Sequence, residues 1–80
     1  MRRVTLYTSP GCHLCDQARS ALLRICAEHE LELEERDITL DEGLHRAYLE
    51  RIPVVALDGE ELFEYFVAED ELRARLASLH

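Results

Sequence analysis

The apolar residues of this 80-residue chain recur with two different periods, and the changes of period divide the chain into seven elements. Val4 to Thr8 alternates apolar and polar residues and stops at Ser9-Pro10-Gly11, which predicts a first strand. From Cys12 to about Glu28 the apolar residues follow helical spacing, which predicts a long amphipathic helix. Its expected core-facing residues are Leu14, Ala18, Ala21, Leu22 and Ile25.

The middle of the chain predicts a strand and a short helix. Leu31 to Asp37 alternates leucine and glutamate, as expected for a strand near a sheet edge with one solvated face. Thr39-Leu40-Asp41-Glu42 matches the T-x-x-E capping box that begins many helices. Because Leu40, Leu44 and Tyr48 follow at i, i+4 spacing, we expect a second helix there.

The C-terminal third predicts a hairpin and a last helix. Ile52 to Leu57 is an apolar run that ends at Asp58-Gly59, a strong hairpin signal, and Leu62 to Phe66 supplies the return strand. The last helix has acidic residues in its first turn and arginines further along, as the helix dipole prefers. Its apolar stripe consists of Ala68, Leu72, Leu76 and Leu79.

The resulting order is β-α-β-α-β-β-α, which predicts an α/β fold. The first two strands are expected to be parallel, with a helical crossover between them, and the last two to form an antiparallel hairpin. Helices would then cover both faces of a four-stranded mixed sheet. We expect residues 1–80 to form one domain, because a chain of this size buries roughly 60% of its unfolded surface.

Charge and composition narrow the classes of partner. The formal net charge is −8, so we do not expect a nucleic-acid-binding protein, whose affinity comes from clustered lysine and arginine. No apolar run approaches the roughly 20 residues that span a membrane, and the N-terminus lacks the apolar stretch of a secretory signal. We therefore expect a cytoplasmic monomer that does not bind membranes.

The candidate chemistry lies in Cys12-His13-Leu14-Cys15, a C-x-x-C motif at the start of the first helix. Two cysteines three apart in this position can form a disulfide, and the positive end of the helix favours a thiolate at the first. We predict that Cys12 is the nucleophile and Cys15 the resolving thiol of thiol–disulfide exchange, which requires no bound cofactor.

Several of these residues also have simpler interpretations. His13 either stabilises the Cys12 thiolate or is an exposed turn residue, and Cys26 is expected to be a small core residue. No metal site is predicted, because a structural zinc site requires four ligands and the chain has no second paired motif. A metal or iron–sulfur module that uses Cys12 and Cys15, and a non-catalytic interaction domain, remain as alternatives.

The chain resembles the small glutaredoxin-like proteins of bacteria, which have the thioredoxin fold. The matching segments are Leu6 to Cys15, Arg51 to Val55 and Asp58-Gly59. The resemblance implies that Pro53 follows a cis peptide bond and faces the disulfide, and that the Ile52 backbone pairs with an extended substrate. Three further residues are substrate-binding candidates: His13, Arg51, which is otherwise a solvated charge at a helix end, and Tyr7, which is otherwise a packed aromatic.

The resemblance also implies partners, namely disulfide-bearing proteins as substrates and a thiol or flavoprotein as electron donor. Classical glutaredoxins hold glutathione with a Thr-Val-Pro segment and a Gly-Gly pair. Here the corresponding positions are Arg51-Ile52-Pro53 and Glu64 to Ala68, without Gly-Gly. Glutathione and a thioredoxin-reductase-like flavoprotein are therefore both kept as candidate donors.

Overall fold

A computed structural model describes residues 3–78 of the chain, and the elements occur in the order predicted from the sequence. The first half contains β1 (Arg3–Thr8), α1 (His13–His29), β2 (Glu32–Asp37) and a 3₁₀ turn (Ile38–Leu40). The second half contains α2 (Glu42–Tyr48), β3 (Val54–Leu57), β4 (Glu60–Glu64) and α3 (Glu69–Ser78). Leu79, the last residue of the predicted apolar stripe, lies outside the described residues.

The strands form one four-stranded mixed sheet in the order β2-β1-β3-β4. β1 pairs in parallel with β2 and antiparallel with β3, and β3 pairs antiparallel with β4. These pairings confirm the predicted fold class, including the position of β2 at a sheet edge. The charged side chains of β2 suit such an edge, because charge discourages pairing with another chain.

The main core lies between one face of the sheet and the helices α1 and α3. Its fully buried residues come from β1, β3 and both helices, and they include Leu6, Leu22, Val55 and Leu72, each 0% exposed. α2 and the 3₁₀ turn belong to the opposite face, where the Tyr7 and Tyr48 rings stack with their centroids 4.5 Å apart. Helices therefore cover both faces, as predicted.

The hairpin strands differ from their predicted limits. The return strand was expected over Leu62 to Phe66, but β4 begins at Glu60 and ends at Glu64. Asp58 and Gly59 both have positive φ angles (50° and 90°), which fits a two-residue hairpin turn and pairs Leu57 directly with Glu60. The strand ends where Tyr65 adopts a φ of 71°.

Two details of the helices also correct the predictions. The first turn of α2 is capped by Asp41, whose side chain accepts a hydrogen bond from the Leu44 N–H at 3.0 Å, and not by the Thr39 capping box. Leu40 lies in the preceding 3₁₀ turn and is 84% exposed, so it is not part of an apolar stripe on α2. On α1, Leu14 is 46% exposed, whereas the other expected core residues of that helix are buried.

Candidate functional site

The C-x-x-C motif lies where β1 passes through a short loop into α1. Gly11 in that loop has a φ of 78°, a left-handed conformation that residues with a Cβ rarely adopt. Cys12 is the N-cap of α1, with an extended backbone (φ −91°, ψ 110°). The loop therefore places the Cys12 sulfur at the positive end of a 17-residue helix.

Cys12 and Cys15 are joined as a disulfide, with their Cα atoms 5.2 Å apart. That separation lies within the usual range for disulfides, roughly 4.4 to 6.8 Å. The backbone N–H of Cys15 donates a hydrogen bond to the Cys12 sulfur at 3.1 Å, which is the N-cap interaction of the helix. In the reduced protein a donor in this position, together with the helix dipole, favours a thiolate at Cys12.

The two sulfurs differ in their access to solvent. Cys12 is partly exposed, whereas Cys15 is buried at 1% exposure. Only Cys12 can therefore meet an external disulfide without rearrangement of the helix. This difference matches the predicted roles of nucleophile and resolving thiol, both of which stay predictions.

Pro53 lies next to the loop that carries the motif, because β3 runs antiparallel to β1. Tyr7 near the end of β1 pairs with Val54 at the start of β3, so the preceding Pro53 lies beside the last residue of β1. The Ile52-Pro53 peptide bond is cis, as the resemblance implied. Ile52 is partly exposed, and its N–H already donates to the Tyr48 carbonyl at 3.1 Å.

Arg51 is engaged within the chain. Its guanidinium hydrogen-bonds to Glu64 at 2.7 Å and to Glu61, and it lies 5.1 Å from the centre of the Tyr48 ring. The hydrogen bonds from Arg51 and Tyr48 hold the pKa of Glu61 below its ordinary value. A ligand carboxylate that binds Arg51 would have to compete with these two glutamates.

The two remaining candidates for substrate contacts, Tyr7 and His13, differ in their exposure to solvent. Tyr7 is a packed aromatic whose ring stacks on Tyr48, on the face of the sheet opposite the main core. His13 is exposed as the first residue of α1. The substrate contacts expected of Tyr7 and His13 stay predictions.

Tyr65 also lies beside this site, although no pattern in the sequence indicated it. Its N–H donates to the Pro53 carbonyl, and its hydroxyl donates to the Glu50 carbonyl, both at 2.8 Å. A cavity of about 170 Å³ lies next to it, and its lining includes Leu14, Phe66 and Val67. Tyr65 and Phe66 form an aromatic pair just after a strand, and such a pair usually indicates packing in a core. The local sequence therefore does not distinguish Tyr65 from a core residue.

Cys26 is buried in the main core, as predicted, and burial raises the pKa of its thiol. Within residues 3–78, no three side chains of the His, Cys, Asp and Glu types come together as they would around a metal ion. No helix in this part of the chain is long and apolar enough to cross a membrane.

Comparisons with known proteins agree with this architecture. Residues 3–77 match the family model described as Glutaredoxin-like domain (DUF836). The uncharacterized protein Rv0508 of Mycobacterium tuberculosis is 32% identical over 80 residues. The alignment covers 94% of this chain and 82% of that protein.

Solved structures show the same likeness. The solution NMR structure of protein Ne2328 from Nitrosomonas europaea has a TM-score of 0.80 at 33% identity, over 92% of this chain and 89% of that one. A mutant thioredoxin from Halobacterium salinarum, with a TM-score of 0.70 at 21% identity over 96% of this chain and 73% of that one, shows the shared fold. The chain therefore has the thioredoxin fold and belongs to the glutaredoxin-like domain family.

Proposed function

We propose that this protein is a dithiol–disulfide oxidoreductase that reduces disulfides in other proteins or mixed disulfides with glutathione. The observation that carries the proposal is the Cys12–Cys15 disulfide at the start of α1, in which the partly exposed sulfur accepts the Cys15 N–H. A redox-type function also agrees with membership of the glutaredoxin-like family. No bound cofactor is required, because the electrons are carried by the two sulfurs.

The proposed reaction consists of two exchange steps. The Cys12 thiolate attacks one sulfur of the substrate disulfide, that S–S bond breaks, and the leaving sulfur departs as a thiolate that takes up a proton. Cys15 then loses its proton and attacks the Cys12 sulfur, which releases the second substrate sulfur. The substrate gains two electrons and two protons, and the protein is left with the Cys12–Cys15 disulfide.

The neighbouring backbone supports a role in holding the substrate chain. In this proposal Pro53 faces the substrate disulfide, and the Ile52 backbone pairs with an extended substrate segment. Because the Ile52 N–H is already bonded to the Tyr48 carbonyl, pairing through that N–H requires this bond to open. Tyr7, His13 and Arg51 are proposed as further substrate contacts around the pair.

The electron donor that regenerates the dithiol is glutathione or a thioredoxin-reductase-like flavoprotein. Either donor would deliver two electrons to the Cys12–Cys15 disulfide and restore both thiols. We propose that the protein acts as a cytoplasmic monomer on protein substrates. The two donors are distinguished by supplying each one separately to the oxidised protein and measuring the rate at which free thiols appear.

The test of the mechanism uses the three cysteines as matched variants. We expect Cys12→Ser to abolish the reduction of insulin disulfides with dithiothreitol as the electron source, because the attacking sulfur is lost. Cys15→Ser should instead accumulate a mixed disulfide through Cys12, detectable by intact-protein mass spectrometry. Cys26→Ala is the control, and we expect it to retain the turnover of the unmodified protein.

Two results would contradict this mechanism. Full insulin reduction by Cys12→Ser would exclude Cys12 as the nucleophile. A Cys15→Ser protein that forms no mixed disulfide, while the unmodified protein turns over, would exclude Cys15 as the resolving thiol.

A further inference from the structure

The two ends of the segment that enters β3, Glu50 to Pro53, are both bonded to one residue that lies beyond β4, Tyr65. The Tyr65 N–H donates to the Pro53 carbonyl at 2.8 Å, and the Tyr65 hydroxyl donates to the Glu50 carbonyl at 2.8 Å. One side chain and its own backbone thus bind the two ends of a four-residue segment. We name residues 50–53 the entry segment.

A second set of contacts ties the middle of the entry segment, Arg51 and Ile52, to β4 and to α2. The Arg51 guanidinium bonds to Glu64 at 2.7 Å and to Glu61, and both of these residues belong to β4. The backbone N–H groups of Arg51 and Ile52 both donate to the Tyr48 carbonyl, at 2.8 and 3.1 Å. All four residues of the entry segment are therefore tied through side chain or backbone to neighbouring residues, and Tyr65 supplies the bonds at the two ends.

The backbone of Tyr65 indicates that its side chain is needed where it lies. Its φ of 71° is left-handed, and the Phe66 N–H closes a three-residue turn on the Glu64 carbonyl at 2.8 Å. A residue with a Cβ is unfavourable in this conformation, whereas glycine adopts it freely. Backbone strain of this kind persists where surrounding contacts require it, and it is concentrated at functional sites.

The Tyr65 ring lies at a surface and not in a core. It is 49% exposed, and the fully buried core residues belong to other elements. Burial of apolar area therefore gives little reason for a tyrosine here. The feature that distinguishes this tyrosine is the hydroxyl that reaches the Glu50 carbonyl.

We propose that Tyr65 is a positioning residue for disulfide exchange, which holds the entry segment in the geometry that receives the substrate backbone. The inference rests on the proposed function, because it assumes that a substrate chain lies along Ile52 and Pro53. With both ends of the segment fixed beforehand, less conformational freedom is lost when a substrate binds. The two hydrogen bonds of Tyr65 described above go to the entry segment and not to a sulfur, so the proposal assigns it an effect on substrate binding and not on the reactivity of Cys12.

The experiment compares Tyr65→Phe with Arg73→Gln. The first change removes the hydroxyl bond to the entry segment, and the second removes side-chain hydrogen bonds to Glu28, which lies at the opposite end of α1 from Cys12. We expect Tyr65→Phe to raise the KM for insulin disulfides by about 3- to 10-fold, the effect of one lost hydrogen bond, with kcat nearly unchanged. Arg73→Gln should leave KM within about twofold, a change too small to equal a lost bond at the entry segment.

A third variant separates positioning from stability. Tyr65→Gly relieves the left-handed backbone, so we expect its Tm to be no lower than that of the unmodified protein, while its KM rises at least as much as in Tyr65→Phe. The rate at which iodoacetamide alkylates Cys12 in the reduced protein should be the same in all variants. This combination would not arise if Tyr65 served only to stabilise the fold.

The outcomes are distinguishable from a failure of the proposed function. If insulin turnover depends on Cys12 but neither Tyr65 variant changes KM, the positioning role is overturned and the oxidoreductase mechanism stands. A slower alkylation of Cys12 in Tyr65→Phe would also overturn it, because the effect would then act on the sulfur. If the unmodified protein reduces no disulfide, the proposed function itself fails.

Discussion

Cys12 caps the start of α1 and Cys26 lies within the same helix, and their surroundings have opposite effects on the ionisation of the thiol. Cys12 is partly exposed at the positive end of α1, where a backbone N–H points at its sulfur. Cys26 is 6% exposed among aliphatic side chains, and this burial raises the pKa of its thiol. In the reduced protein a thiolate is therefore better stabilised at the helix start than in the core.

This contrast predicts the effect of changing the buried cysteine. Cys26→Ser should lower the free energy of unfolding by about 1 to 3 kcal/mol, because it buries a hydroxyl among apolar neighbours. Cys26→Ala should cost less, since it introduces no polar atom. Urea unfolding measures the stabilities, and insulin reduction per folded molecule should be unchanged in both. Loss of turnover in folded Cys26→Ala would give this thiol a chemical role that the structure does not predict.

The helices α1 and α2 differ in how far their own sequences stabilise them. α1 has 17 residues, a capping interaction at Cys12 and a left-handed C-cap at Glu30 (φ 56°). α2 has only seven residues, and none of them is fully buried. Because so short a helix is marginal in water, α2 relies on its cap at Asp41 and on the packing of Tyr48 against Tyr7.

The cap of α2 can be tested directly. We expect Asp41→Ala to lower the free energy of unfolding by about 0.5 to 2 kcal/mol, because the Leu44 N–H loses its acceptor. Thr39→Ala serves as the control, since the Thr39 hydroxyl bonds to Asp37 and caps no N–H of α2. Urea denaturation followed by circular dichroism measures both. A larger loss in Thr39→Ala than in Asp41→Ala would restore the capping box predicted from the sequence.

At the scale of the whole molecule, arginine–carboxylate pairs join elements that are distant along the chain. Arg24 pairs with Glu69 and Arg73 with Glu28, so each of the helices α1 and α3 supplies an arginine that pairs with a glutamate of the other. Every arginine within residues 3–78 lies within 4.0 Å of a carboxylate oxygen, namely Arg3, Arg19, Arg24, Arg36, Arg46, Arg51, Arg73 and Arg75. Single exposed pairs of this kind contribute little, but the set makes the fold sensitive to acid.

The sign of the acid effect follows from the lowered carboxyl pKa values. Hydrogen bonds from Arg73 and Arg36 hold the pKa values of Glu28 and Glu34 below the ordinary value of 4.5, and Arg51 with Tyr48 does the same for Glu61. The folded protein therefore binds fewer protons than the unfolded chain in this range. The resulting stabilisation is present above pH 4.5 and is lost as the pH falls through the lowered values.

We accordingly expect the free energy of unfolding to decrease from pH 5 to pH 3. Glu28→Gln should be less stable than the unmodified protein at pH 7, and the two should converge as the pH falls, because the variant has no carboxylate to protonate at this position. Urea unfolding at each pH measures the difference. In 1 M salt the difference at neutral pH should shrink. A constant difference across the pH range would contradict this assignment.

Much of the fold could be predicted because its signals are local. The two periods of apolar residues, the Asp58-Gly59 turn and the C-x-x-C after a Pro-Gly turn each depend on residues that are neighbours in the chain. The cis bond at Pro53 was implied by the resemblance and not by its local sequence, since such bonds are uncommon before most prolines. The predicted limits of β4 were wrong, because the hairpin turn determines where this strand begins and the Tyr65 backbone determines where it ends.

By itself, then, the sequence determined the order of the elements, the α/β class and the pair of cysteines at a helix start. Only the tertiary structure decided that Cys15 is buried while Cys12 is accessible, that Arg51 is held by two glutamates, and that Tyr65 binds both ends of the entry segment. The physical reason is the separation along the chain. Helix and turn preferences act over about four residues, whereas Tyr65 reaches a carbonyl 15 residues away, through a contact that exists only after β3 and β4 have paired.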